Sequence, residues 1–176
     1  MKLLLSEFPE LTGLRKDTAT YIPLLNRVMQ ASSGPVLEVG AGFFSTPFLH
    51  WLCAETGRAL VTLENNPAFH KYANMFRSKN HSVVLVKDWE KAPLEGPWSV
   101  AFVDHTNRPR KRVDDAIKLI DNTDFLVLHD TEPSAIKKYG YDKLLPLVKY
   151  RYDWTFCEPH TSVVSNKIDV CTTFQS

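Results

Sequence analysis

Between Pro35 and Leu128 the chain repeats one pattern: a short apolar run, a turn, then a longer segment with apolar residues at helical spacing. The short runs read as strands at Pro35 to Val39, Ala59 to Leu63, Ser82 to Val86, Trp98 to Val103 and Asp124 to Leu128. The longer segments predict helices over Thr46 to Glu55, Pro67 to Lys79 and Lys111 to Ile120. Strands apolar on both sides are expected where a sheet is covered on both faces. Strands that alternate with helices need crossover connections of one hand, which implies a parallel α/β sheet, doubly wound. An N-terminal arm and a helix over Asp17 to Gln30 come first, and Ser32, Ser33, Gly34 and Pro35 break the chain after them.

The C-terminal part departs from that rhythm. Asp153 to Glu158 and Lys167 to Phe174 both alternate like strands, and the intervening PHTSVVSN is too short for a crossover helix. Two such strands pair antiparallel or lie at different edges. No repeat, low-complexity tract or linker divides the 176 residues, so the expectation is one domain over 1–176, with 1–33 as its arm and first helix. A hydrophobic fraction of 44% with 23% charged residues argues against disorder. A net charge of +1 argues against a general nucleic-acid or anionic-membrane binder. MKLLLSEF is too short an apolar run for a signal peptide, and no later stretch approaches the length of a membrane span. Cys53, Cys157 and Cys171 are scattered and lack metal-ligand spacing, which points to reduced thiols and a cytoplasmic setting.

In a sheet of this kind ligands sit beyond the carboxyl ends of the strands, so the first strand-to-helix turn, LEVGAGFFST, is the place to look. Gly40 and Gly42 permit close backbone approach, and the amides of the helix beginning near Ser45 and Thr46 face whatever lies there. Glu38 stands where an apolar residue is expected, and a buried carboxylate needs a donor or a cation, such as the ammonium group of an amino-acid-like ligand. Glu64, 22 positions beyond Gly42, stands where a ribose-binding acid belongs, followed by Asn65. After the third strand come Asp88 and Trp89, an acid and an aromatic ring able to meet an adenine. A nicotinamide dinucleotide is the competing ligand. It is disfavoured because the third glycine of its G-x-G-x-x-G turn falls at Ser45, and because Glu38 would oppose a diphosphate.

The ordered series EVGAGFFST, LENNP, KDW, FVDH and LHDT, over residues 34 to 132, resembles the motifs of class I S-adenosylmethionine-dependent methyltransferases. The resemblance implies a Rossmann-like, seven-stranded sheet ending in an antiparallel strand pair. It places Glu38, Gly40 and Gly42 at the methionine portion of S-adenosylmethionine, Glu64 at the ribose, and Asp88 with Trp89 at the adenine, with Ser45, Thr46 and Asn65 as further cofactor-binding residues. The family's third glycine is Phe44 here. Asp104 and His105 end the fourth strand, and His129 and Asp130 end the fifth. The pair VDH and LHDT is similar to the catechol O-methyltransferase group, in which strand-end acids hold magnesium. By that likeness Asp104 and Asp130 are candidate ligands of Mg2+ or another divalent ion, and Asp104, His105, His129 and Asp130 are the candidate catalytic groups, with Asp104 also beside the cofactor. Two positions depart from the group: Thr131 replaces an amide ligand, and Asn107 replaces the catalytic lysine.

Without a metal, His105 or His129 is the expected general base. The run RPRKR, Arg108 to Arg112, reads as the solvated start of a surface helix, with an anionic substrate as the alternative. The amino-methyltransferase motif of Asn or Asp before Pro-Pro and an aromatic is absent, as is a Pro-Cys nucleophile, so DNA is not an expected substrate. The expected function is methyl transfer to a hydroxyl of a small molecule or carbohydrate-like acceptor. The alternatives are a non-catalytic cofactor-binding or interaction subunit and, third, an NAD-dependent oxidoreductase. Only the arm and the segment Glu132 to Tyr141 are available to cover the site, and a second subunit of a homo-oligomer is the expected means of completing it.

Overall fold

The computed structural model of the chain describes residues 19–105 and 112–174. The elements run α1 (Ile22–Gln30), β1 (Val36–Val39), α2 (Ser45–Thr56), β2 (Leu60–Glu64), α3 (Pro67–Ala73), β3 (His81–Leu85), β4 (Trp98–Val103), α4 (Arg112–Leu119), β5 (Thr123–His129), α5 (Pro133–Tyr139), β6 (Tyr150–Trp154), β7 (Thr161–Ser165) and α6 (Val170–Phe174). They build one seven-stranded sheet in the order β3-β2-β1-β4-β5-β7-β6. The first five strands are parallel, and β7 pairs antiparallel with both β5 and β6. Strand order reverses between β1 and β4, which opens a crevice above their carboxyl ends.

Period-two alternation sorts the strand residues onto the two faces. Val36, Leu60, Val100, Phe102, Phe125 and Val127 pack under α1, α2 and α6, together with Leu24, Leu25, Val28, Leu49 and Phe174. Leu37, Val39, Leu63, Ala101, Val103, Leu126 and Leu128 pack on the other face, with Val113, Ala116 and Leu119 of α4. By the same parity Glu38, Thr62, Glu64, Asp104 and His129 belong to the α1–α2 face, whereas His105 belongs to the α4 face; Asp130, with φ 56°, lies past the end of β5 and outside the alternation. A single residue of spacing therefore separates His105 from the other expected catalytic groups.

The C-terminal pair is antiparallel as expected, but its strands lie elsewhere. The alternation over Lys167 to Phe174 belongs to the short helix α6, whose first turn is held by Asp169: its carboxylate accepts from the amides of Cys171 at 3.0 Å and Thr172 at 3.3 Å. The strand is Thr161–Ser165, within the sequence read as a connection. All five of its residues are buried, because β7 lies inside the sheet between β5 and β6. Three of the five are Ser or Thr, and this masks the apolar run that marks the other inner strands. β6 begins at Tyr150 and ends at Trp154, earlier than the expected Asp153 to Glu158. The helix expected over Pro67 to Lys79 stops at Ala73 and tightens into a 3₁₀ turn, Asn74–Phe76.

Candidate functional site

The turn after β1 is pressed against the end of β4. Gly40 adopts φ 99°, and a Cβ at this position would lie 2.6 Å from the backbone N and Cα of His105 and 2.9 Å from the carbonyl carbon of Asp104. A left-handed backbone that close to another strand admits glycine alone. The cofactor-side turn and the strand end carrying Asp104 are thus held in register by direct backbone contact.

Glu38 is fully buried, and the groups around it are hydroxyls. Thr46 Oγ1 donates to its carboxylate at 3.0 Å and Thr62 Oγ1 at 2.7 Å, with Ser45 also hydrogen-bonding to it. Burial pushes its pKa up to about 7 despite these bonds. Behind it, Thr62 accepts from His81 Nε2 at 2.8 Å, and His81 Nδ1 meets His50 Nδ1 at 3.2 Å. Burial and the neighbouring His50 lower the His81 pKa to about 4, so this ring is neutral near pH 7. The folded pKa of Glu38 lies above its unfolded one, so its stability cost grows as pH rises from about 4.5 to about 7 and is constant beyond. The stability of the wild type relative to Glu38→Gln is expected to fall by about 3 kcal/mol between pH 4 and pH 8. Thermal melts of the two proteins across this range check it.

Glu64 is also buried, its pKa raised by burial against the hydrogen bonds it accepts. Its carboxylate takes the amide of Ala41 at 2.8 Å and that of Asn66 at 2.6 Å. The Gly42 amide donates to Thr46 Oγ1 at 3.0 Å. Beside Glu64, the side-chain oxygen Oδ1 of Asn65 is buried and, among the described residues, has no hydrogen-bond partner. Asp88 is exposed and caps a 3₁₀ turn by accepting from the Glu90 amide, while Trp89 is buried in the core, its ring 4.5 Å from that of His105.

Beyond the crevice the structure brings Asp104, His129 and Asp130 together. His129 Nδ1 lies 3.1 Å from Asp104 Oδ1, and Nε2 lies 3.1 Å from Thr20 Oγ1. The Thr20 hydroxyl proton is directed to the Pro159 carbonyl, 2.8 Å away, so Thr20 is an acceptor toward the imidazole. Both ring nitrogens therefore face acceptors, an arrangement that favours the protonated ring. Burial opposes that charge, but Asp104 and Asp130 outweigh it and raise the His129 pKa. The same partners, with Arg112, hold the Asp104 carboxyl below its usual range against the effect of burial. His105 stands apart: its side chain is fully buried, paired with Asp115 at 3.1 Å on the far face of the sheet.

Arg112 corrects the reading of the RPRKR run as a solvated helix start. It is 5% exposed, its guanidinium 3.0 Å from Asp104 Oδ1 and 2.8 Å from Asp130 Oδ2. Tyr139 lies under it at 4.1 Å, and Tyr141, also buried, donates to the His129 carbonyl at 3.2 Å. Tyr139 and Tyr141, at the end of the segment Glu132 to Tyr141, thus support this cluster from within the core. Asn107, Arg108 and Arg110 lie outside the described residues, as does most of the expected N-terminal arm. Tyr21, grouped in sequence with the apolar positions of the first helix, is buried against Phe102 and, edge-on, His129, with its hydroxyl hydrogen-bonded to Ser45. Nothing in a run of basic residues distinguishes Arg112 from its neighbours. Thr62 was legible in principle, since it points the same way as Glu64 and pairs in register with Glu38.

No protein-family model matches the chain, and no curated protein matches it by sequence. The fold is that of solved class I methyltransferases. An SAH-bound methyltransferase from Podospora anserina, PaMTH1, superposes with a TM-score of 0.66 at 12% identity, over 95% of this chain and 86% of that one. The O-methyltransferase from Bacillus cereus in complex with SAH gives 0.59 at 16% identity, over 94% and 90%. The N-terminal domain of human METTL16 in complex with SAH gives 0.56 at 13% identity, over 93% and 78%. Among the described residues no helix is long and apolar enough to cross a membrane.

Proposed function

We propose that the chain is an S-adenosylmethionine-dependent methyltransferase, acting as one domain on a small-molecule acceptor, with a hydroxyl of a small or carbohydrate-like molecule as the leading candidate. The observation that carries this reading is how the glycine turn uses its amides: Ala41 donates to Glu64 and Gly42 to Thr46. In a dinucleotide site such amides are turned toward the diphosphate. Here both are engaged within the protein, between two buried acids, an environment hostile to a diphosphate and suited to a cationic cofactor without phosphate. The orphaned Asn65 oxygen calls for a donor, which a ribose hydroxyl supplies. SAH in the structural relatives supports the same assignment.

In this reading Glu38, Gly40, Gly42, Ser45 and Thr46 hold the amino-acid portion, Glu64 and Asn65 the ribose, and Asp88 the adenine edge, while Trp89, packed in the core against His105, supports that turn from below. S-adenosylmethionine, when bound, supplies an electrophilic methyl group on its sulfonium. The chain's part is to align the acceptor in line with that group and to keep water out. Asp104, one-quarter exposed beside the turn, is the ionised side chain placed to meet the acceptor. The free thiols accord with a cytoplasmic location, and a second copy of the chain is the proposed means of closing the acceptor side.

A second reading, a cofactor-binding subunit without catalysis, is favoured by one observation: both ring nitrogens of His129 are already engaged, by Asp104 and by Thr20. Calorimetry separates the possibilities. S-adenosylmethionine and SAH are expected to bind with micromolar or tighter affinity and NAD not at all; preference for NAD defeats the main reading. Methyl transfer to any member of a hydroxyl acceptor panel distinguishes the enzyme from the binder.

A further inference from the structure

The likeness to the catechol O-methyltransferase group implies a divalent cation on Asp104 and Asp130, and the geometry of this chain disagrees with it. Asp104, His129 and Asp130 each bring one ligand-type atom within 4.8 Å of the others. A hard divalent ion needs about six oxygen ligands, carboxylates foremost, and a histidine ligand must offer a lone pair. Each requirement fails at a named residue. Both carboxylates already share the Arg112 guanidinium, at 3.0 Å and 2.8 Å. Both ring nitrogens of His129 are already hydrogen-bonded, one to Asp104 and the other to Thr20. Thr131, at the amide-ligand position, is buried and hydrogen-bonded to Ser162 at 2.8 Å. Arg112 already places a fixed positive charge on both carboxylates, so a divalent ion would stand against that guanidinium in a largely buried place.

Arg112 is a built part of this arrangement. Its remaining donors reach backbone carbonyls at both strand ends: Nε to His105, Nη1 to His129 at 3.4 Å and Nη2 to Asp104 at 3.4 Å. The ring of Tyr139 covers one face of the guanidinium. A planar fork with five donors can tie the ends of β4 and β5 together in this way, whereas an ammonium cannot. Asp130, the residue that turns toward it, adopts φ 56°, a left-handed conformation uncommon outside glycine.

We propose that Arg112 occupies the place of a divalent cation in this chain, as a permanent organic cation on Asp104 and Asp130, so that the site beside the cofactor crevice is metal-independent. The inference goes beyond the assignment of S-adenosylmethionine and stands or falls without it, because its test reads metal binding directly. Mn2+ is titrated into the protein and followed by the electron paramagnetic resonance signal of the free ion. The wild type is expected to leave that signal intact to millimolar Mn2+ at this cluster; one bound Mn2+ that Asp104→Asn removes overturns the proposal, and Mn2+ that survives Asp104→Asn lies elsewhere and leaves it standing. Arg112→Ala is expected to gain one Mn2+ site, lost again when Asp130→Asn is added, and a folded Arg112→Ala that gains none overturns the proposal. Where Arg112→Ala fails to fold, Arg112→Gln takes its place under the same criteria, and the wild-type titration decides by itself if neither folds.

Discussion

Gly40→Ala is expected to abolish S-adenosylmethionine binding and to destabilise the protein by about 2–5 kcal/mol, from the left-handed backbone forced on an L residue and from overpacking against β4. At this chain length that corresponds to a fall in melting temperature of about 10 °C. The added Cβ meets the backbone of His105 and the carbonyl carbon of Asp104, so relief requires moving a strand end. The turn and the Asp104 cluster would lose their register together. Gly57 provides the control: its φ is 69°, but a Cβ there meets nothing within 4 Å, so alanine carries only the conformational cost. Melting curves and calorimetry on the two variants check the difference. Equal behaviour of the pair would show that contact with β4 is not what demands glycine at position 40.

Asp104→Ala is expected to reduce methyl transfer at least about a hundredfold while S-adenosylmethionine still binds. Asp104 holds both cations of the cluster, and its removal leaves Arg112 with Asp130 and His129 with a weaker hold on its proton. Because one partner of a buried charge network is lost, the destabilisation is about 3 kcal/mol, and turnover has to be measured well below the melting transition. NMR titration of the histidines provides a separate readout, with the His129 pKa expected to fall. Asp130→Ala is expected to lose turnover as well, since it frees one arm of Arg112. Full activity in both variants would remove the cluster from the reaction.

The parallel part of the fold was legible because short apolar runs buried on both faces cannot be mistaken for surface segments, and alternation with helices leaves one topology. The C-terminal pair was legible only as a pair. Ser162 turns its hydroxyl to Thr131 and Asp153, and a hydroxyl-rich inner strand resembles a connection until its neighbours are known. Glu38 was conspicuous as a carboxylate in an apolar strand. That Thr46 and Thr62 hold it depends on α2 folding back over β1 and on the register of β2.

His105 and Arg112 mark the boundary most clearly. In sequence His105 adjoins Asp104 and reads as its partner, but one step along a strand reverses the face, and the imidazole lies under the sheet with Asp115. Arg112 reads as one basic residue of a run, and only the meeting of β4, β5 and α4 surrounds it with two carboxylates and a tyrosine ring. The amino-acid order by itself determined the strand-and-helix alternation, the glycine turn and the acids at the strand ends, because these follow from local periodicity and backbone freedom. Which of those acids face one another, and which cation they hold, was decided by the tertiary structure, because charge pairing depends on distances across the sheet that no local pattern encodes.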